Sequence, residues 1–169
     1  MTLHPTALKV QERLRERGLE IEVQVLPDST RTAVDAAAAC GCELGQIVKS
    51  LVFLRDEERV VCLWAGDRQV PAEELGLRRA SADEVREATG FAVGGVPPLG
   101  HDRPLTTLVD DSLRRFYADL LRLRRDVTQR TYVVEHPESA AICADHQIVH
   151  MIGGVKHHVA DRRARQIEL

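Results

Sequence analysis

The stretch "GQIVKSLVF", residues 45–53, is an apolar run with one lysine inside it. Its Val, Ile and Phe content and its flanking punctuation read as a buried strand over roughly 47–54. A second apolar run, "VVCLWA" at 60–65, follows the charged "RDEER" of 55–59. Two apolar runs separated by a short polar turn predict an antiparallel hairpin. On a strand, side chains alternate between faces. Ile47, Lys49, Leu51 and Phe53 therefore share one face, and Val48, Ser50 and Val52 the other. Both faces are largely apolar, which makes Lys49 the residue to explain. Either it snorkels to solvent, or it sits partly desolvated with a lowered pKa, ready to bind an anionic or carbonyl group.

Outward from this hairpin the pattern is mixed. Ala7, Val10 and Leu14 predict a helix from Pro5 to Leu19, with Gly18 as its stop. "IEVQVL" alternates Ile21, Val23 and Val25 against Glu22 and Gln24, as a half-buried strand does. "RTAVDAAAACG" is an alanine-rich helix stopped at Gly41. Ser81 followed by Glu84 is a capping-box pattern, which opens a short helix closed by Gly90. "LTTLV" at 105–109 and Thr131–Glu135 have strand character, while "PESAAICADHQIVHMI" at 137–152 reads as a helix ended by Gly153 and Gly154. Short strands and helices in mixed order, without a Gly-rich phosphate loop, predict one α+β or mixed α/β domain over residues 1–169.

Composition fits that class. The 169 residues are 44% hydrophobic and 29% charged, the balance of an ordinary globular chain. No apolar run is long enough to span a bilayer, and the N-terminus lacks a signal-peptide pattern, so a cytoplasmic protein with no membrane partner is expected. A net charge of −3 argues against a surface that grips nucleic acid everywhere, though not against a local basic patch. Arg122, Arg124, Arg125 and Arg130 form one such concentration, and Arg162, Arg163 and Arg165 a second; a solvated face and a tail are the plainer readings. Cys40, Cys42, Cys62 and Cys143 show no C-x-x-C pair, so reduced thiols are expected.

The second feature is "GGVPPLGH", residues 94–101. Pro97 and Pro98 stiffen this loop, and Gly94 and Gly95 leave its backbone bare, so N–H groups can approach a ligand without intervening side chains. His101 either hydrogen-bonds a substrate at neutral pH or serves the loop's own structure.

Taken together, "TAVDAAAACGCELGQIVKSLVF", "GDRQV", "ATGFAVGGVPPLGH" and "LTTLVDDSLRRF", in that order, resemble the YbaK family of aminoacyl-tRNA editing domains over roughly residues 30–116. The resemblance implies a mixed α/β domain with a mainly antiparallel, barrel-like sheet and flanking helices. It implies hydrolysis, in trans, of an amino acid wrongly esterified to tRNA, such as cysteine or alanine on proline tRNA, with no cofactor. It makes Lys49 the catalytic residue and gives the loop of Gly94, Gly95, Val96, Pro97, Gly100 and His101 the aminoacyl end to bind. The implied partners are the acceptor end of an aminoacyl-tRNA and an aminoacyl-tRNA synthetase. The alternative is a non-catalytic module that binds the tRNA acceptor or associates with a synthetase.

Such chemistry needs an electropositive group near the reacting ester and donors for the developing oxyanion, which Lys49 and loop N–H groups supply without a metal. Ser50 faces away from Lys49, which argues against a Ser-Lys nucleophile pair. Asp67, in "GDR", is a turn residue by default. Segment 117–169 departs from the family pattern, so no role is carried over to it. That segment offers a rival: "HQIVH" places His146 and His150 at i and i+4, with Cys143 three residues earlier, a metal-pair spacing if the segment is helical. Gln147 stands where a zinc-protease motif needs glutamate. Surface histidines are the plainer explanation, and no metal is expected.

Overall fold

Pro5 in the first helical position opens α1 (Pro5–Glu16), whose Ala7, Val10, Gln11 and Leu14 are buried as one stripe. The computed structural model describes residues 5–17, 22–26, 32–113, 131–134, 148–152 and 155–159. The buried amide of Gln11 ties this helix to β1 (Glu22–Val25), because its Oε1 accepts the Val23 N–H at 2.7 Å. Gly18, the expected stop of α1, lies outside the described residues.

The expected capping box forms: Ser81 and Glu84 cap α3 (Ala82–Thr89), and Thr32 and Asp35, not singled out from the sequence, cap α2 (Ala33–Cys40) in the same way, each side chain bonding the other's backbone N–H. Glu84 also pairs with Arg78 at 2.9 Å. The Arg78 bond, then the Ser81 N–H, hold its carboxyl well below the usual range, at about 2. Gly41 and Gly90 close α2 and α3 in the left-handed conformation.

The expected hairpin is present as β2 (Ile47–Arg55) and β3 (Glu58–Ala65), antiparallel from Arg55↔Glu58 to Val48↔Ala65. Four strands follow it on the path of the sheet: β5 (Thr106–Asp110), β6 (Thr131–Val134), β7 (Ile148–Ile152) and β8 (Val155–Val159). The order is β1-β8-β7-β2-β3-β5-β6, and the short β4 (Arg78–Arg79) lies beside the end of β2, at Phe53 and Leu54.

The barrel-like, mainly antiparallel sheet is corrected here. Pairings β1–β8, β7–β8, β2–β3 and β2–β4 are antiparallel, but β2–β7, β3–β5 and β5–β6 are parallel. The ends of the path, β1 and β6, are not paired with each other among the described residues, so the sheet is mixed and open. The connection from β3 to β5 accounts for one of these parallel pairings: it runs through α3 and is long enough for the crossover that parallel neighbours require.

A second correction concerns 137–152. Residues 148–152, read as the end of a helix, form β7, which pairs with β2 at Ile47 and Val48 and with β8 along its length. Ile148, Val149, Met151 and Ile152 satisfy either period, and the free edge of β2 selects the strand.

β3 shows why the hairpin reads as continuously apolar. Val60, Val61, Cys62, Leu63, Trp64 and Ala65 are all fully buried, because both faces are covered. Val61, Leu63 and Ala65 join Val48, Val52, Val109 and α1 in one cluster. Val60, Cys62 and Trp64 join Phe53, Leu77 and Leu108 in another, on the opposite face. Ile47 packs on Ala36 and Ala37 of α2.

Candidate functional site

Alternation along β2 puts Lys49 on the face of Trp64, its cross-strand partner. Parallel pairing of β3 with β5 continues the row, since Leu63 faces Val109 and the next position brings Trp64 beside Asp110. Lys49, Trp64 and Asp110 thus lie in line across three adjacent strands. Their face also carries Leu51, Phe53, Cys62 and Leu108.

The Lys49 ammonium is half-buried and turned toward the tight turn that ends β3. Its Nζ donates to the Gly66 carbonyl at 3.2 Å and to the Arg68 carbonyl. The turn is closed by the Arg68 N–H on the Ala65 carbonyl at 3.1 Å. Gly66 has no room for a side chain: a Cβ there would stand 2.2 Å from the Leu44 carbonyl oxygen and 3.1 Å from the Ile47 Cβ. Burial lowers the Lys49 pKa, opposed by the negative charges of Asp67 and Asp110. Of the two alternatives, the partly desolvated lysine is the one present. Two of its three N–H donors are engaged among the described residues.

Asp110 was not singled out by the sequence reading. It is fully buried and accepts two backbone N–H groups, Ala65 at 3.2 Å through Oδ2 and Ser112 at 2.9 Å through Oδ1. The available signal was an aspartate closing the apolar run "LTTLV", where a carboxylate at a strand end either caps the next turn or serves a site. Asp67 is exposed in its turn, as its default reading had it.

The loop of 91–101 stands elsewhere. Val96 and Leu99 pack with Val48, Val52 and Leu63, on the face of β2 opposite Lys49. Strand alternation gives Ser50 that same face, away from Lys49 as expected. The loop's tip is open: Gly94 is exposed with φ 81°, Val93 is 64% exposed, and the Gly95 N–H closes a turn on the Ala92 carbonyl at 2.9 Å. Its arm is fixed. His101 is buried and its Nε2 bonds the Pro97 carbonyl at 2.7 Å, the contact that the structural reading of this histidine requires. Gly100 lies where a Cβ would press on the Arg13 Cβ at 2.9 Å. Asp102 then joins α1 through Lys9 at 3.1 Å and Arg13 at 3.2 Å. The structure therefore ties the loop to α1, and Lys49 to the 65–68 turn.

Cys62 is inert as a nucleophile, since burial pushes its thiol up to about 12. Cys40 and Cys42 are half-buried thiols at the end of α2. No group of three or more potential metal ligands occurs among the described residues. Cys143 and His146 lie outside them. His150 lies in β7, so the i,i+4 helical geometry weighed for "HQIVH" is not formed there. No helix among the described residues is long and apolar enough to cross a membrane.

A family model described as the aminoacyl-tRNA editing domain matches residues 27–121, a segment that holds Lys49, the Gly-Pro loop and Asp110. The chain belongs to that family. A crystal structure of a candidate trans-editing enzyme for prolyl-tRNA synthetase matches this editing domain with a TM-score of 0.66 at 36% identity, over 94% of this chain and 88% of that one. The uncharacterized protein YwhH of Bacillus subtilis is 33% identical over 114 residues, 63% of this chain and 73% of its own. The proline–tRNA ligase of Lactobacillus gasseri is 34% identical over 79 residues, 43% of this chain. That match spans only 14% of the ligase.

Proposed function

We propose that this chain is a hydrolase that removes a wrongly attached amino acid from tRNA, acting in trans on proline tRNA charged with cysteine or alanine. Family membership supports the reaction class, and the similarity to a candidate prolyl trans-editing enzyme and to proline–tRNA ligases supports the tRNA. The observation that carries the reading is Lys49, a half-buried cation held by two turn carbonyls among the described residues.

In this reading water attacks the ester carbonyl carbon. A C–O bond forms to the water, the bond to the terminal ribose oxygen breaks, and the water's proton passes to that oxygen. Lys49 stabilises the charge that develops on the carbonyl oxygen, where a fixed cation in a partly desolvated site counts for more than in water. Among the loop residues, the exposed Gly94 and the half-buried Gly95 form a tip on the other face of β2 from Lys49, so in this reading the tip is a second contact for the bound tRNA and not a donor to the ester held at Lys49. Val96, Pro97, Gly100 and His101 hold the tip in place from the buried arm. No cofactor is needed, and a synthetase is the natural source of the mischarged tRNA.

If the ammonium form is the working one, the enzyme-dependent rate falls as pH rises through the Lys49 pKa. Burial lowers that pKa, so the loss is expected with a midpoint below the ordinary lysine value of 10.5. Rates corrected for spontaneous ester hydrolysis at each pH measure it, and a rate that climbs steadily to 10.5 would contradict a working ammonium.

A second reading is favoured by the same hydrogen bonds. Two carbonyls on Lys49 are also what a purely structural tie would use, which fits a module that binds the tRNA acceptor or a synthetase without turnover. A panel of mischarged tRNAs separates the two. Hydrolysis of cysteinyl- or alanyl-tRNA for proline supports the enzyme; binding with no turnover of any charged species supports the module.

A further inference from the structure

Asp110 is buried more deeply than Lys49, two strands away in the same row. A fully buried carboxylate is costly unless its charge is compensated, and the two backbone N–H groups it accepts supply part of that compensation. The Ser112 bond alone is an ordinary turn cap, which asparagine or serine also provides. The Ala65 bond is different. Ala65 is the last residue of β3 and the acceptor of the turn whose carbonyls hold Lys49. Through it, Asp110 fixes the start of the 65–68 turn from the neighbouring strand. Across the row, Lys49 and Asp110 are two strand spacings apart, about 10 Å between Cα atoms. The charge of the carboxylate favours the ammonium form of Lys49. The burial of Trp64 between them keeps water from screening that charge.

We propose that Asp110 is a positioning residue for Lys49: its carboxylate anchors the 65–68 turn that cradles the ammonium and balances the ammonium's charge. The inference builds on the reading of Lys49 as the working group and adds a residue in β5 to it. Among the described residues, the carboxylates acting on Lys49 are Asp67, exposed in the turn, and Asp110, buried in the sheet.

The test is Asp110→Asn, which keeps one accepting oxygen and removes the charge. The first readout needs no substrate. The Lys49 side-chain resonance is followed in lysine-labelled protein, assigned with Lys49→Arg, and titrated toward alkaline pH. The midpoint is expected to fall relative to wild type, because a charge that favours the ammonium has gone. The second readout is deacylation: kcat is expected to drop about tenfold or more, with KM for charged tRNA nearly unmoved, as when a working group is misplaced away from the binding surface. A lowered midpoint with that split supports the proposal. An unchanged midpoint in folded Asp110→Asn overturns it, whatever the rate does. Should Asp110→Asn fail to fold, Asp67→Asn decides. Among the described residues Asp110 is then the remaining carboxylate acting on Lys49, and the Lys49 resonance must still shift as a buried carboxylate protonates in acid; a flat resonance overturns the proposal. If wild type deacylates no charged tRNA, the functional reading fails, while the Lys49 titration still decides the role of Asp110.

Discussion

Lys49→Ala is expected to lower the deacylation rate on mischarged proline tRNA by about 10²–10³-fold, the scale of losing one preorganised group that stabilises a developing oxyanion. Folding stability should move little. The substitution removes two hydrogen bonds to the Gly66 and Arg68 carbonyls, but it also relieves a charge that burial disfavours. These effects oppose each other, and a net change within about 1 kcal/mol is expected. Lys49→Arg should not restore the rate. A planar guanidinium on a different stem cannot place one compact ammonium between two carbonyls. Single-turnover deacylation by the three proteins, with a thermal melt of each, measures both effects. Full activity in Lys49→Ala would reduce Lys49 to a structural tie and favour the binding-module reading.

Gly66→Ala should damage both fold and site. The added Cβ would meet the Leu44 carbonyl oxygen at 2.2 Å, and that oxygen belongs to the backbone and cannot rotate aside. Either the 65–68 turn or the short helical turn at Leu44–Gln46 must shift. Overpacking of this kind costs about 1–3 kcal/mol, which lowers Tm by several degrees in a chain of this size. Because the Gly66 carbonyl holds Lys49, the rate should fall further than the stability loss alone explains, at a temperature where the variant is fully folded. Thermal melts paired with deacylation below the transition test this. An unaltered Tm would mean that the turn has slack, and an unaltered rate would mean that Lys49 does not depend on it.

The contrast between these two positions marks how much local sequence carries. Lys49 was conspicuous because an ammonium interrupts an apolar run. Gly66 was not, since glycine before "DR" looks like any turn, and the crowding that demands it comes from Leu44, 22 positions earlier. Asp110 was hidden for a related reason. An aspartate that ends a strand is ordinary, and its importance arises only when β5 lies beside β3 and brings it into line with Trp64 and Lys49.

What the sequence determined by itself are the features set within a few residues. The hairpin follows from two apolar runs around a charged turn, and the start of α3 from Ser81/Glu84, whose side chains satisfy backbone donors three residues away. The stripe of α1 and the opposite facing of Lys49 and Ser50 follow from fixed periods of 3.6 and 2. The tertiary structure decided what depends on distant partners. The 148–152 segment became a strand because β2 offered it an edge; the sheet became mixed because β5, after α3, pairs parallel with β3, and β7 pairs parallel with β2. It also parted Lys49 from the Gly-Pro loop, one on each face of β2. Which side of a sheet a loop covers is set by the packing of α1 and the core, and no residue of either motif encodes it alone.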